Sequence, residues 1–150
     1  MNLSEKLLES LNFFEASLTK LTMKLQKEKI KSKDNDFSNM KLSASDFRNM
    51  ELDNANFSGS QSENMNTVDF FSSSLKNSNF SNAFLRGANF TKTDLRGSDF
   101  SGAKANGSFI EADLRGIKFN GAEFHRASFL KAKMDDDFKN YLKTQSSIEM

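Results

Sequence analysis

The chain offers few side chains capable of covalent or metal chemistry. Cysteine is absent, which removes disulfides, thiolate metal sites and cysteine nucleophiles together. His125 is the sole histidine, leaving no pair for a zinc site and little from which to assemble a catalytic triad. The densest carboxylate group is Asp135-Asp136-Asp137, but consecutive aspartates lack the alternating ligand spacing of a calcium loop. Standing before Phe138, Tyr141 and Leu142, they read instead as the charged start of a short helix. No catalytic, cofactor-binding or metal-binding constellation emerges.

Charge is equally restrictive. Lys+Arg 21 against Asp+Glu 20 gives a net +1. The balance is local as well: residues 37–134 carry twelve basic and ten acidic groups. That is neither the basic excess that drives phosphate binding nor the acidity of a nucleic-acid mimic, so nucleic acid is disfavoured as a partner. No apolar run approaches the roughly 18 residues of a membrane span. The start, Met1-Asn2-Leu3-Ser4-Glu5-Lys6, has no basic region followed by an unbroken apolar one, so a secretory leader is not expected and the cytoplasm is the expected compartment. A mean hydropathy of −0.62 would by itself suggest a solvated polar chain.

Periodicity overturns that reading. An apolar residue recurs every five positions at Phe37, Leu42, Phe47, Leu52 and Phe57, then from Met65 through Phe70, Leu75, Phe80, Leu85, Phe90, Leu95, Phe100 and Ala105. After one four-residue step it continues as Phe109, Leu114, Phe119, Phe124, Phe129 and Met134. Five fits neither a helix face nor a strand alternation, so the pattern is an internal repeat. Two positions before each centre the side chain is mostly small (Ala83, Ala88, Ser98, Ala103, Ala112). Two positions after it, at twelve of the twenty centres, stands glycine or asparagine, the residues that best tolerate positive φ. Each unit therefore turns a corner.

Units such as Ala88-Asn89-Phe90-Thr91-Lys92, Thr93-Asp94-Leu95-Arg96-Gly97 and Ala112-Asp113-Leu114-Arg115-Gly116 resemble the pentapeptide-repeat family, whose unit reads Ala-(Asp/Asn)-Leu-x-x. The resemblance implies a mainly β fold, a right-handed quadrilateral β-helix with four units to a coil. Allowing three extra residues between Phe57 and Met65 and one missing between Ala105 and Phe109, the centres sort into four columns. One is Phe47, Phe70, Phe90, Phe109, Phe129; the opposite one is Phe37, Phe57, Phe80, Phe100, Phe119. These rings are the expected structural core. Between them run Leu52, Leu75, Leu95, Leu114, Met134 and Leu42, Met65, Leu85, Ala105, Phe124. Twenty units make about five coils, roughly 24 Å of prism at roughly 4.8 Å per coil.

Three regions follow: residues 1–33 as an amphipathic helix, 34–134 as the β-helix, and 135–150 as a short helix and tail. Leu7, Leu11, Phe14, Leu18, Leu21 and Leu25 follow four-three spacing, fit either to cap the first coil or to pair as a coiled coil in a homodimer. The Ser-rich stretch from Ser58 to Asn64 holds the expected insertion.

Outward positions stack in the same way. Phe71, Ile110 and Leu130 fall in one ladder and form a candidate protein-contact wall. Lys76, Arg96 and Arg115 form another, offset by Asp94 and Asp113. A filled prism offers no concavity for a small-molecule substrate. The sequence therefore reads as a non-enzymatic interaction or scaffold module, its partner another protein or itself. The alternative comes from the resemblance: some bacterial pentapeptide-repeat proteins imitate duplex DNA and bind type II topoisomerases, an action that goes with a strongly acidic surface that this chain lacks.

Overall fold

A computed structural model of the chain describes residues 35–62 and 67–150. The expected helix over residues 1–33, with Leu7, Leu11, Phe14, Leu18, Leu21 and Leu25, lies outside them. The described chain winds as a β-helix-like solenoid held by parallel pairing between successive turns. Among the described residues, only β1 (Gln61–Ser62) and β2 (Phe84–Leu85) are long enough to count as strands. Elsewhere each turn touches the next through isolated parallel bridges such as Asp36↔Asn56, Asp69↔Asn89 and Asp94↔Asp113. A unit of five residues leaves room for one extended segment and one corner, so a longer strand cannot form.

Most corners are built the same way, the shortened one after Ala105 excepted. The carbonyl of the central residue accepts the N–H three positions on, as in Ala55 N to Leu52 O (3.1 Å) and Thr93 N to Phe90 O (3.1 Å). The residue two after the centre takes positive φ, the arrangement of a type II turn. Asn39, Asn49, Asn54, Asn77 and Asn82 do so at 56 to 63°, but so do Lys92 (58°), Glu111 (57°), Arg126 (62°) and Lys131 (57°). The ladder hydrogen bonds on either side impose the corner even on side chains that resist it.

The core is a double stack of rings. Phe47, Phe70, Phe90, Phe109 and Phe129 lie face to face at 4.9–5.1 Å, with interplanar angles of 8–13°. Phe37, Phe57, Phe80 and Phe100 do the same at 4.8–5.0 Å. Across the axis the two stacks meet edge to face at 5.3–6.1 Å. Both arrangements suit the ring quadrupole. All nine of these rings are at most 3% exposed, and each contributes on the order of 1.5–3 kcal/mol by burial. In the small slots, Ser73, Ser78 and Thr93 donate their hydroxyls to the carbonyls of Phe47, Leu52 and Phe70, one coil back, whereas the buried hydroxyls of Ser45 and Ser60 find no partner among the described residues.

Two expectations change. Phe119 is not stacked under Phe100. Its backbone keeps the register, Phe100 N donating to Lys118 O at 2.7 Å, but its ring is only partly buried and lies 5.1 Å from Phe138 and 4.9 Å from Tyr141. Ile117 occupies the slot two residues earlier, where most units place a small side chain. Phe124 enters the core toward Phe100 (6.1 Å), next along its own column to the small Ala105. The extra residues are also displaced from the expected place. Leu42 N donates to Gln61 O at 2.7 Å, and Ser62 pairs with Leu85, so Ser62 fills the slot expected for Met65. A serine is admitted there because its Oγ reaches the Arg86 carbonyl at 3.3 Å. The regular step thus runs on through Ser62, Val68 is buried ahead of Phe70, and Met65 lies outside the described residues.

At the far end α1 (Asp136–Leu142) closes the stack. Phe138 lies 5.3 Å from Phe124 and 5.8 Å from Phe129, Leu142 is fully buried, and Tyr141 Oη donates to Ala122 O at 2.6 Å. Asp136 and Asp137 occupy the first turn, favourable to the helix dipole, while Asp135 accepts the Gly116 N–H at 2.6 Å. Beyond α1, Glu149 pairs in parallel with Ser128.

Phe90→Ala is expected to lower stability by about 3–5 kcal/mol, because both its stacking neighbours stay fixed around the void. Urea denaturation measures it, and a negligible change contradicts the stack. Lys131→Gly, at an exposed corner, is expected to raise stability by about 0.5–1 kcal/mol by relieving the left-handed backbone. The same denaturation series checks the sign.

Candidate interaction surfaces

With the interior filled, the positions flanking each centre decide what the molecule presents. The residue before the centre is commonly Asp or Asn, and its side-chain oxygen accepts the N–H two positions on. Asp36 does so for Ser38, Asn56 for Ser58, Asp69 for Phe71, Asn79 for Ser81, Asn89 for Thr91 and Asp99 for Ser101, at 2.9–3.1 Å. The acidic or amide residue of the repeat is thus a backbone cap that stiffens the corner. The signal was present in the sequence as the recurrent Asp/Asn, and spacing alone did not reveal its purpose.

Where arginine follows such an aspartate, the carboxylate also clamps the guanidinium. Arg96 Nε and Nη2 meet Asp94 at 2.9 and 2.7 Å, Arg115 meets Asp113 at 2.9 and 2.6 Å, and Arg48 meets Asp46 at 2.8 and 2.6 Å. Lys76 Nζ reaches Asp53 Oδ2 at 3.0 Å. The ladder of Lys76, Arg96 and Arg115 is therefore neutralised along its length.

The register places Phe71, Thr91, Ile110 and Leu130 on one wall. Ser72 N donates to Thr91 O at 3.0 Å, Lys92 N to Ile110 O at 2.8 Å and Glu111 N to Leu130 O at 2.9 Å. Phe71 and Ile110 are half-buried and Leu130 is 37% exposed, so the wall is narrower than three free apolar groups. The Lys92 ammonium lies 5.9 Å from the Phe71 ring centre. His125 is exposed, with Nδ1 3.0 Å from Ser146 Oγ. Among the described residues no group of three or more His, Cys, Asp or Glu could hold a metal ion, and no helix is long and apolar enough to cross a membrane.

Hydrogen bonds from Arg48, Arg96 and Arg115 hold the carboxyls of Asp46, Asp94 and Asp113 below the usual carboxylate range, against partial burial that raises them. Groups with depressed folded-state pKa stabilise the fold above the unfolded value and lose that contribution as pH falls through the folded value. The denaturation midpoint is expected to stay level from about pH 7 to about 5 and to fall below about pH 4. In the Asp94→Asn/Asp113→Asn variant that acid limb should be shallower; an unchanged limb would show that the clamps carry none of it.

Comparison with known proteins agrees with this geometry. No curated protein matches the chain in sequence. Among solved structures it is similar to a pentapeptide-repeat protein from the thylakoid lumen of Arabidopsis thaliana, at 29% identity and a TM-score of 0.52, over 71% of this chain and 77% of that one. It is also similar to a pentapeptide-repeat protein of the cyanobacterium Cyanothece 51142, at 14% identity and a TM-score of 0.51, over 78% and 97% of the two chains. A third likeness is to QnrB1, a plasmid-mediated fluoroquinolone resistance protein, at 17% identity and a TM-score of 0.49, over 65% and 61%. The profile for pentapeptide repeats matches eight copies, over residues 36–61, 69–107 and 108–136. With the matched segments covering more than half its length and the five-residue corners repeating through them, the chain belongs to the pentapeptide-repeat family.

Proposed function

We propose that this protein is a non-enzymatic interaction or scaffold module of the cytoplasm. Its body is a right-handed, four-sided β-helix of about five coils, carrying an amphipathic helix over residues 1–33 and a short helix and tail over 135–150. The observation that carries the reading is the filled interior. Two ring stacks occupy the axis, and the depressions beside Arg86 and beside Met134 are open to solvent. Function then falls to the walls, where convergent catalytic groups are hard to assemble. Phe71, Ile110 and Leu130 supply an apolar strip on otherwise polar walls, suited to another polypeptide. Leu7, Leu11, Phe14, Leu18, Leu21 and Leu25 supply a second contact, suited to self-association as a homodimer.

Imitation of DNA toward a type II topoisomerase is the weaker reading. It needs uncompensated negative charge, whereas Asp46, Asp53, Asp94 and Asp113 are each matched by a cation. Supercoiling by purified gyrase, with and without a quinolone, is expected to be unchanged by this protein; inhibition or protection at micromolar concentration would restore the mimic.

The Phe71→Ser/Ile110→Ser/Leu130→Ser variant is expected to keep its circular dichroism and lose a partner that the unaltered chain captures from its native host. Retention of every captured partner rejects the wall as the contact.

A further inference from the structure

Five arginines occur in the chain, and four of them directly follow a central residue. Three of these four, Arg48, Arg96 and Arg115, are clamped by the aspartate two positions earlier. Arg86 is the exception, because its unit reads Ala83-Phe84-Leu85-Arg86-Gly87 and places an aromatic ring where the carboxylate would stand. Its guanidinium lies over Phe84 at 4.6 Å from the ring centre. Stacking orients the guanidinium and leaves its charge and N–H donors unspent. Arg126, the fifth, sits at a corner with φ 62° and has no ion pair among the described residues.

Both arginines line one open cleft of about 320 Å³, together with Lys104, Asn106, Glu123 and His125. The cleft lies at the shortened corner between Ala105 and Phe109. There the chain saves a residue, and Gly107 is required because a Cβ would run into the Ala88 carbonyl oxygen. Lys104 holds Glu123 at 3.2 Å with both side chains nearly half exposed, a pair that water and salt screen. Arg86 and Arg126 therefore give the cleft an excess of two positive charges.

We infer that this cleft is a docking site for an acidic, extended peptide segment of a partner protein. The guanidiniums call for carboxylates, and an excess of only two charges is too small for the many phosphate contacts that hold a nucleic acid. The rungs of Arg86 and His125 are two coils apart, on the order of 10 Å, and carboxylates on alternate residues of an extended chain recur at about 7 Å. Two or three acidic side chains of one strand can thus meet the cleft at once. The inference rests on the reading of the chain as an interaction module, but it uses a different wall from Phe71, Ile110 and Leu130.

Fluorescence anisotropy of the full chain with a labelled hexaglutamate peptide tests it, with a hexathymidylate of the same length alongside. Saturable peptide binding that weakens with salt is expected. It should drop by about tenfold or more in Arg86→Gln/Arg126→Gln and be unchanged in Arg96→Gln, each variant first shown to melt like the unaltered chain. Absence of peptide binding, equal binding by the double variant, or an equal loss in Arg96→Gln overturns the site. Tighter binding of the oligonucleotide overturns the peptide assignment. Any of these results with partner capture through Phe71, Ile110 and Leu130 intact would sink the cleft alone and leave the interaction reading standing.

Discussion

The spacing between hydrogen-bonded backbone segments governs this molecule. Neighbouring parallel segments lie roughly 4.8 Å apart, and rings of one Phe column lie 4.8–5.1 Å apart, centre to centre. Backbone ladder and aromatic stack therefore share a single pitch, and neither strains the other. That coincidence lets the core repeat for as long as the sequence keeps its period, and it explains a chain with 16 Phe, one Tyr and no Trp. An indole is too wide for the shared pitch and axis, and a buried phenol would need a partner for its hydroxyl. The one tyrosine stands at the end of the stack, where Ala122 offers a carbonyl.

A second rule shapes the outside. Where the side chain before a centre is aspartate or asparagine, its oxygen satisfies an N–H of the corner, and the other oxygen of an aspartate is available to a neighbouring cation. Backbone capping and charge neutralisation thus come from the same residue. A wall built on this rule is nearly silent electrostatically, however many ions it carries. Departures from the rule become informative, and Phe84 in front of Arg86 is such a departure: the replaced carboxylate leaves a cation available to something else.

Much of this was legible in the sequence because the repeat writes the same position many times. The ring columns of Phe47 and Phe57 could be drawn from spacing alone, since a wrong register would have scattered them. Phe119 and Met65 show where periodicity stops being enough. Both lie beside an irregularity, and which residue fills a slot there depends on side-chain volume (Ile117, Phe124) or on a hydroxyl finding a carbonyl (Ser62). Positive φ could be anticipated at Asn39 and Asn82 from residue type, but not at Glu111 or Lys131, where the ladder imposes it. The shared wall of Phe71, Ile110 and Leu130 followed from register, whereas their exposure did not, because it depends on neighbouring side chains such as Lys92.

The pairing of Glu149 with Ser128 has a consequence for assembly. A solenoid ending in unpaired amides and carbonyls invites a second copy to continue the spiral, the route by which repetitive β proteins grow into fibrils. Here residues 146–149 fold back onto that rim as a short segment, with the aromatic plug of Phe138 behind it. Elongation at this rim would first require peeling the segment away, so the molecule carries its own brake on polymerisation.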